Sequence, residues 1–153
     1  MSADETPDVS GAPEWTRAVP VGSRVLLRRT VSESDVYLFA GLTGDLHPNH
    51  MDEEYMAAGR FGRRVVHGAL LVGLMSGAST RYALSRQPVP DSVSLGYDRV
   101  RFLAPAFIGD TLEVEYVIEE IDAERDRSVA GVSVRNQDGG LLAVARHLTK
   151  YVR

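Results

Sequence analysis

The chain has no cysteine among its 153 residues. That excludes disulfides, thiolate metal sites and cysteine nucleophiles together. Positive charge is also scarce, with 17 lysines and arginines against 21 acidic residues. A formal net charge of −4 argues against a general nucleic-acid binder, which would be basic overall. No long, pure apolar run is present. The most apolar stretch, Val65 to about Ala83, is interrupted by His67, Arg81 and many small residues, which suits a buried helix better than a membrane span. The N-terminus opens acidic and has no apolar central region, unlike a secretory signal. The expectation is a cytoplasmic protein with neither nucleic acid nor membrane as partner. Histidine is rare too: four in all, two of them inside Gly44-Asp45-Leu46-His47-Pro48-Asn49-His50.

What remains is an ordinary globular composition, one quarter charged and 44% apolar, long enough for one domain with its own core. Residues 1–18 are expected as a loose tail and 19–153 as a single domain. Arg24–Val31 is a first strand in pattern. Ser32 with Asp35 three residues on is a helix start, and Val36, Phe39, Ala40 and Thr43 fall at helical spacing before Gly44. A short helix is expected from Asp52, stapled by Met51 and Met56 and ended by Gly59. Gly68 to Leu84 is apolar on nearly every side, so it is expected to be buried all round. Then the period changes. Leu112, Val114, Tyr116 and Ile118 alternate with polar residues, Ser128–Arg135 and Leu141–Val152 flank the hairpin signal Asn136–Gly140, and Ser92–Phe102 is a further strand. The pattern is α+β: one strand, short helices, a long buried helix, then an expected meander of four strands.

Asp45 and His50 are the first candidates for chemistry. On one continuous helix, five residues turn by about 500°, which would point the two apart. Gly44 and Pro48 break the helix here, so a tight loop can bring them together. A carboxylate beside an imidazole moves protons near neutral pH. The plainer alternative is a capping Asp and a surface His. A zinc reading, with His47, His50 and Asp45 as ligands, is disfavoured because the set is so local and only His67 could join it from afar. His67-Gly68 opens the long helix, where the first N–H groups lack partners and the dipole is positive. A glycine there lets a ligand oxygen approach, as an oxyanion site requires. Ser76 lies mid-helix with no strained elbow, which argues against a Ser-His-Asp triad. The arginines at 60, 63 and 64, with Arg99 and Arg101, could meet phosphates, although a charge run is more often a solvated loop.

Together these stretches resemble the MaoC-like family of hydratases and dehydratases. The carrying motifs are the run from Phe39 to Gly77, "FAGLTGDLHPNHMDEEYMAAGRFGRRVVHGALLVGLMSG", and the later "VRFLAPAFIGDTLEVEYVI". The likeness spans about residues 20–152. It implies a hotdog fold, a curved antiparallel sheet wrapped around a long central helix. It implies a catalytic dyad at Asp45 and His50, an oxyanion donor in the Gly68 N–H, and a serine near the site at Ser76. Ser76, His67, Asn49 and Arg64 are then candidate substrate contacts. Three positions depart from the family pattern: His47 stands where asparagine is usual, Asn49 where an aliphatic residue is usual, and Arg64 where proline is frequent.

The activity so implied is reversible hydration of trans-2-enoyl thioesters to (R)-3-hydroxyacyl thioesters, with no metal or other cofactor. The substrate would be an acyl-CoA or an acyl-carrier-protein thioester. A dimer of identical chains is expected, because a single such sheet leaves an open edge. Two alternatives stay open: a thioesterase of the same fold, and a non-catalytic acyl-thioester-binding partner subunit.

Overall fold

The computed structural model describes residues 13–88 and 91–152. Its centre is a five-stranded antiparallel sheet: β1 (Arg24–Thr30), β2 (Ser92–Phe102), β3 (Thr111–Asp122), β4 (Arg127–Arg135) and β5 (Leu141–Tyr151). Between β1 and β2 come the helices α2 (Glu33–Thr43), α3 (Pro48–Met51), α4 (Glu53–Ala57) and α5 (Gly68–Leu84). A short helix, α1 (Glu14–Ala18), precedes β1.

Alternation decides which face of the sheet holds the core. Leu112, Val114, Tyr116 and Ile118 of β3 are all buried, and the register sets Val114, Tyr116 and Ile118 opposite Val134, Val132 and Ala130. Helix α5 lies against this face with Leu70, Leu71, Met75, Ala78 and Tyr82 buried. Sheet and helix thus share one apolar core, the hotdog arrangement expected from the resemblance. Among the described residues, no helix is long and apolar enough to cross a membrane.

Several expectations need correction. The strands do not run as one meander. Their order is β1-β3-β4-β5-β2, so β2 sits at the edge beside β5 and not beside β3. The chain between β2 and β3 carries Pro105 and no two-residue turn signal, and it crosses the sheet instead of closing a hairpin. Helix α5 is not buried all round either: Ala69, Gly73, Ser76 and Gly77 are exposed. On α2, Val36 and Ala40 are buried, but Thr43 is exposed and its hydroxyl donates to the Phe39 carbonyl at 2.7 Å. Of the tail expected over 1–18, residues 1–12 lie outside the described residues. Residues 14–18 form α1, whose Trp15 stacks on Tyr151 at 3.9 Å and donates its indole N–H to Asp126.

Candidate active site

Local signals place the site. Ser32 caps α2 in a full capping box with Asp35, and Gly44 ends the helix at φ 78°, a left-handed turn that glycine adopts without strain. The chain therefore turns sharply just before Asp45. Pro48 then starts α3 at the position where its missing N–H costs nothing, and the His47 ring accepts from the Asn49 N–H at 3.2 Å. This one-turn helix stands where a plain tight loop was expected. It brings His50 round toward the segment that leads into α5.

His50 is held from two sides. Its Nδ1 lies 2.7 Å from the Val65 carbonyl, which can only accept, so Nδ1 carries the hydrogen and Nε2 keeps a free lone pair. The Val65 N–H returns a bond to the Asn49 carbonyl at 2.9 Å. The His67 ring stacks on the His50 ring with centroids 3.7 Å apart. His67 is itself buried, packed against Phe39, and its Nε2 bonds the main-chain carbonyl of Asp45 at 3.0 Å. One buried imidazole thereby positions both members of the expected dyad. Polar atoms of Asp45, His50 and His67 all lie within 4.8 Å of one another, a spacing that a single water spans. Burial is the largest influence on the His50 ring and pulls its pKa below the usual 6.5; the neighbouring His67 pushes the same way, while the Asp45 charge partly opposes it.

The same three groups could be read as a metal site. The geometry speaks against zinc. Two rings only 27° from parallel send their in-plane lone pairs alongside each other, whereas a tetrahedral ion needs them to converge at about 2.0 Å.

Gly68 is the first residue of α5, so its N–H has no acceptor within the helix. It lines a cleft of about 360 Å³ together with His50, Phe61, Leu71 and Phe102. A Cβ at position 68 would lie 2.7 Å from the Phe102 ring. Glycine is what lets the ring and the helix end share this space. The cleft therefore offers a lone pair at His50 Nε2 and a hydrogen-bond donor at Gly68, with Asp45 beside the base.

The other expected contacts divide. Asn49 is half-buried, and its main chain serves the loop through Val65 and His47. The Arg64 guanidinium is engaged with Glu33, with Glu53 at 2.6 Å and with the Tyr37 hydroxyl at 3.1 Å. It ties α2 and α4 to the segment that holds His50, and does not reach into the cleft as a free phosphate contact. Ser76 lies two turns along α5 and lines a different cavity. Val65 and Phe102 carry weight that the sequence did not signal. One acts through a backbone carbonyl, which every residue has; the other acts by proximity across the fold.

Because Arg64 forks between two carboxylates, Arg64→Met is expected to lower Tm by several degrees and to reduce kcat, as Val65 loses its anchor. Arg64→Lys should recover only part, since a lysine cannot replace a planar fork. Thermal melts beside initial rates check this; an unchanged Tm in Arg64→Met would refute the clamp.

Comparisons with known proteins give the family and the fold. The family model described as "MaoC like domain" matches residues 18–138. A 3-hydroxybutyryl-CoA dehydratase of Methylorubrum extorquens is 37% identical over 108 residues, covering 71% of this chain and 66% of that relative. An (R)-specific enoyl-CoA hydratase of Aeromonas caviae is 33% identical over 130 residues, covering 84% and 91%. The solved structure of an (R)-hydratase from A. caviae involved in PHA biosynthesis superposes with a TM-score of 0.79 at 27% identity, covering 88% of this chain and 98% of that one. An unliganded R-hydratase from Pseudomonas aeruginosa gives 0.78 at 30% identity, covering 87% and 82%. On sequence and fold alike, the chain belongs to the MaoC-like domain family.

Proposed function

We propose that the chain is a hydro-lyase that reversibly adds water across the 2,3 double bond of an acyl thioester, giving the (R)-3-hydroxyacyl thioester. The observation that carries this reading is the pairing of a free His50 Nε2 with the Gly68 N–H in one cleft, with Asp45 within 4.8 Å of the base. His50 Nε2 takes a proton from water as the oxygen bonds C3. Charge then moves through C2 to the thioester oxygen, where the Gly68 N–H and the positive end of α5 stabilise it. The proton held by the His50–Asp45 pair returns to C2 as the enolate collapses. Net addition is one hydroxyl at C3 and one hydrogen at C2. The relatives named above as hydratases and dehydratases support the same chemistry.

The test is loss of the conjugated thioester absorbance when the protein meets crotonyl-CoA, with the product's hand read by chiral chromatography. Release of free CoA from saturated acyl-CoA, without hydration, would make it a thioesterase instead. Binding of the thioester without turnover of either kind would make it a silent partner subunit.

The pH profile follows from His50. The base works neutral, and burial lowers its pKa from the ordinary 6.5. The kcat/KM for crotonyl-CoA is therefore expected to rise with pH below 6.5 and to be level by neutrality. The Asp45 charge raises the His50 pKa, so Asp45→Asn should move whatever acid limb remains to lower pH. An acid limb centred above pH 7 would contradict this role for His50.

A homodimer belongs to the same proposal. Leu38, Leu42 and Leu46 are 72%, 86% and 62% exposed, and an apolar groove between α2 and α5 is lined by Leu38, Leu42, Leu70 and Leu74. A second copy would cover this apolar surface and the small-residue side of α5. Light scattering at the mass of one chain would count against it.

A further inference from the structure

Toward the other end of α5 lies a second cavity, of about 260 Å³. Hydroxyls dominate its walls: Ser76, Ser79, Ser94, Tyr116 and Thr149 surround His147. Among the described residues, no charged side chain lines it. Ser94 Oγ lies 2.8 Å from His147 Nε2, and Tyr116 Oη lies 2.8 Å from His147 Nδ1. Burial holds the His147 pKa down to about 4, so the ring is neutral near pH 7 and carries one hydrogen.

Counting hydrogens then gives a definite result. Ser94, His147 and Tyr116 stand in a line, each with one hydrogen, and make two links. If Nε2 donates to Ser94, the Ser94 hydrogen is left over. If Nδ1 donates to Tyr116, the Tyr116 hydrogen is left over. In either tautomer one O–H at the end of the line has no acceptor within it. Tyr97 stacks on His147 at 4.4 Å, and its hydroxyl lies beside Ser76 and Ser79 of the same wall. A polar cavity of this size is ordinarily wet, and an occupant that cannot replace the water's bonds loses affinity. An alkyl end would displace water from these hydroxyls and give them nothing in return. A neutral oxygen would satisfy them, and neither an anion nor a cation would find an opposite charge.

The cavity lies farther along α5 than the reactive cleft: Gly68 lines the one, Ser76 and Ser79 the other. Gly68, Val72, Ser76 and Ser79 follow at i, i+4, i+8 and i+11, one stripe of α5, and none of them is fully buried. Ser76 lies about 12 Å beyond Gly68 at 1.5 Å per residue. An extended chain covers that in about ten bonds, at about 3.5 Å for every three. We propose that this cavity receives the far end of the acyl chain, and that the chain it selects carries a neutral oxygen, a hydroxyl or keto group, about ten bonds from the thioester carbon. This rests on the acyl-thioester reading above.

Calorimetry on the full chain tests it, comparing decanoyl-CoA with 10-hydroxydecanoyl-CoA, a saturated pair that no hydration step can consume. The hydroxylated thioester is expected to bind about tenfold tighter or better. Ser94→Ala and Ser79→Leu, each verified as folded by circular dichroism, should shrink or reverse that preference. Equal affinity in the wild type, failure of both thioesters to bind, or a preference that survives both variants would overturn the proposal. Crotonyl-CoA is too short to reach the cavity, so its hydration by the wild type reports the lyase reading alone. A protein that hydrates crotonyl-CoA but treats the two long thioesters alike loses only the cavity proposal. One that prefers the hydroxylated thioester but hydrates nothing loses only the lyase.

Discussion

His50→Gln is expected to cut kcat for crotonyl-CoA hydration by about 10³-fold or more while leaving the melting temperature nearly unchanged. The two halves of that expectation have separate causes. Glutamine can still donate an N–H toward the Val65 carbonyl, so the bond that seats residue 50 has a substitute. What it lacks is a lone pair basic enough to take a proton from water. Asp45→Asn should likewise lower kcat by about 10²-fold or more with the fold intact. The reason lies in the main chain: His67 is bonded to the Asp45 carbonyl and not to its carboxylate, so changing the side chain leaves the bracket in place. If the pair acts as one proton-handling unit, the double variant should fall little below the worse single variant. Rates that multiply would mean two independent roles. Near-normal activity in either single variant, by the crotonyl-CoA absorbance assay, would end the dyad assignment.

Much of this was legible in the sequence because the signals were local or periodic. The capping box at Ser32, the break at Gly44 and the alternation of Leu112, Val114, Tyr116 and Ile118 each depend on residues close in sequence. They yielded the elements and the loop that carries Asp45 and His50. The misreadings are long-range. Strand order depends on which way the chain from Leu103 to Asp110 crosses, and periodicity within β2 does not encode its neighbour. The exposed side of α5 was misjudged because its residues are small, and small apolar residues look buried to a hydropathy pattern whether or not anything covers them. Arg64 reads as a free cation until Glu33 and Glu53, far apart along the chain, are seen to meet it. His147 gave no signal at all. Its strand alternates correctly, and only the fold places Ser94 and Tyr116 on its two nitrogens.

Gly68→Ala is expected to lower kcat by about 10²-fold, the scale of an oxyanion contact that the substrate can no longer reach, without costing stability. Alanine is the better helix former by about 1 kcal/mol, so the first turn of α5 should if anything gain. The harm is steric. A methyl at residue 68 would sit 2.7 Å from Cε2 of Phe102 and 2.9 Å from two further ring atoms, and something must move. Phe102 is about half exposed at the end of β2, so its ring is the part free to swing. It lines the same cleft as Gly68 and His50, so the displaced ring intrudes where the thioester has to lie. The double variant Gly68→Ala with Phe102→Ala separates the two ways this could act. If the ring is the obstacle, removing it returns a large part of kcat. If the methyl itself keeps the thioester oxygen off the N–H, the double variant stays as slow as the single one, and the donor is confirmed at closer range. A Gly68→Ala enzyme with full kcat would show that neither the methyl nor the displaced ring obstructs the thioester, because alanine keeps the backbone N–H, and would end the argument that only glycine fits here.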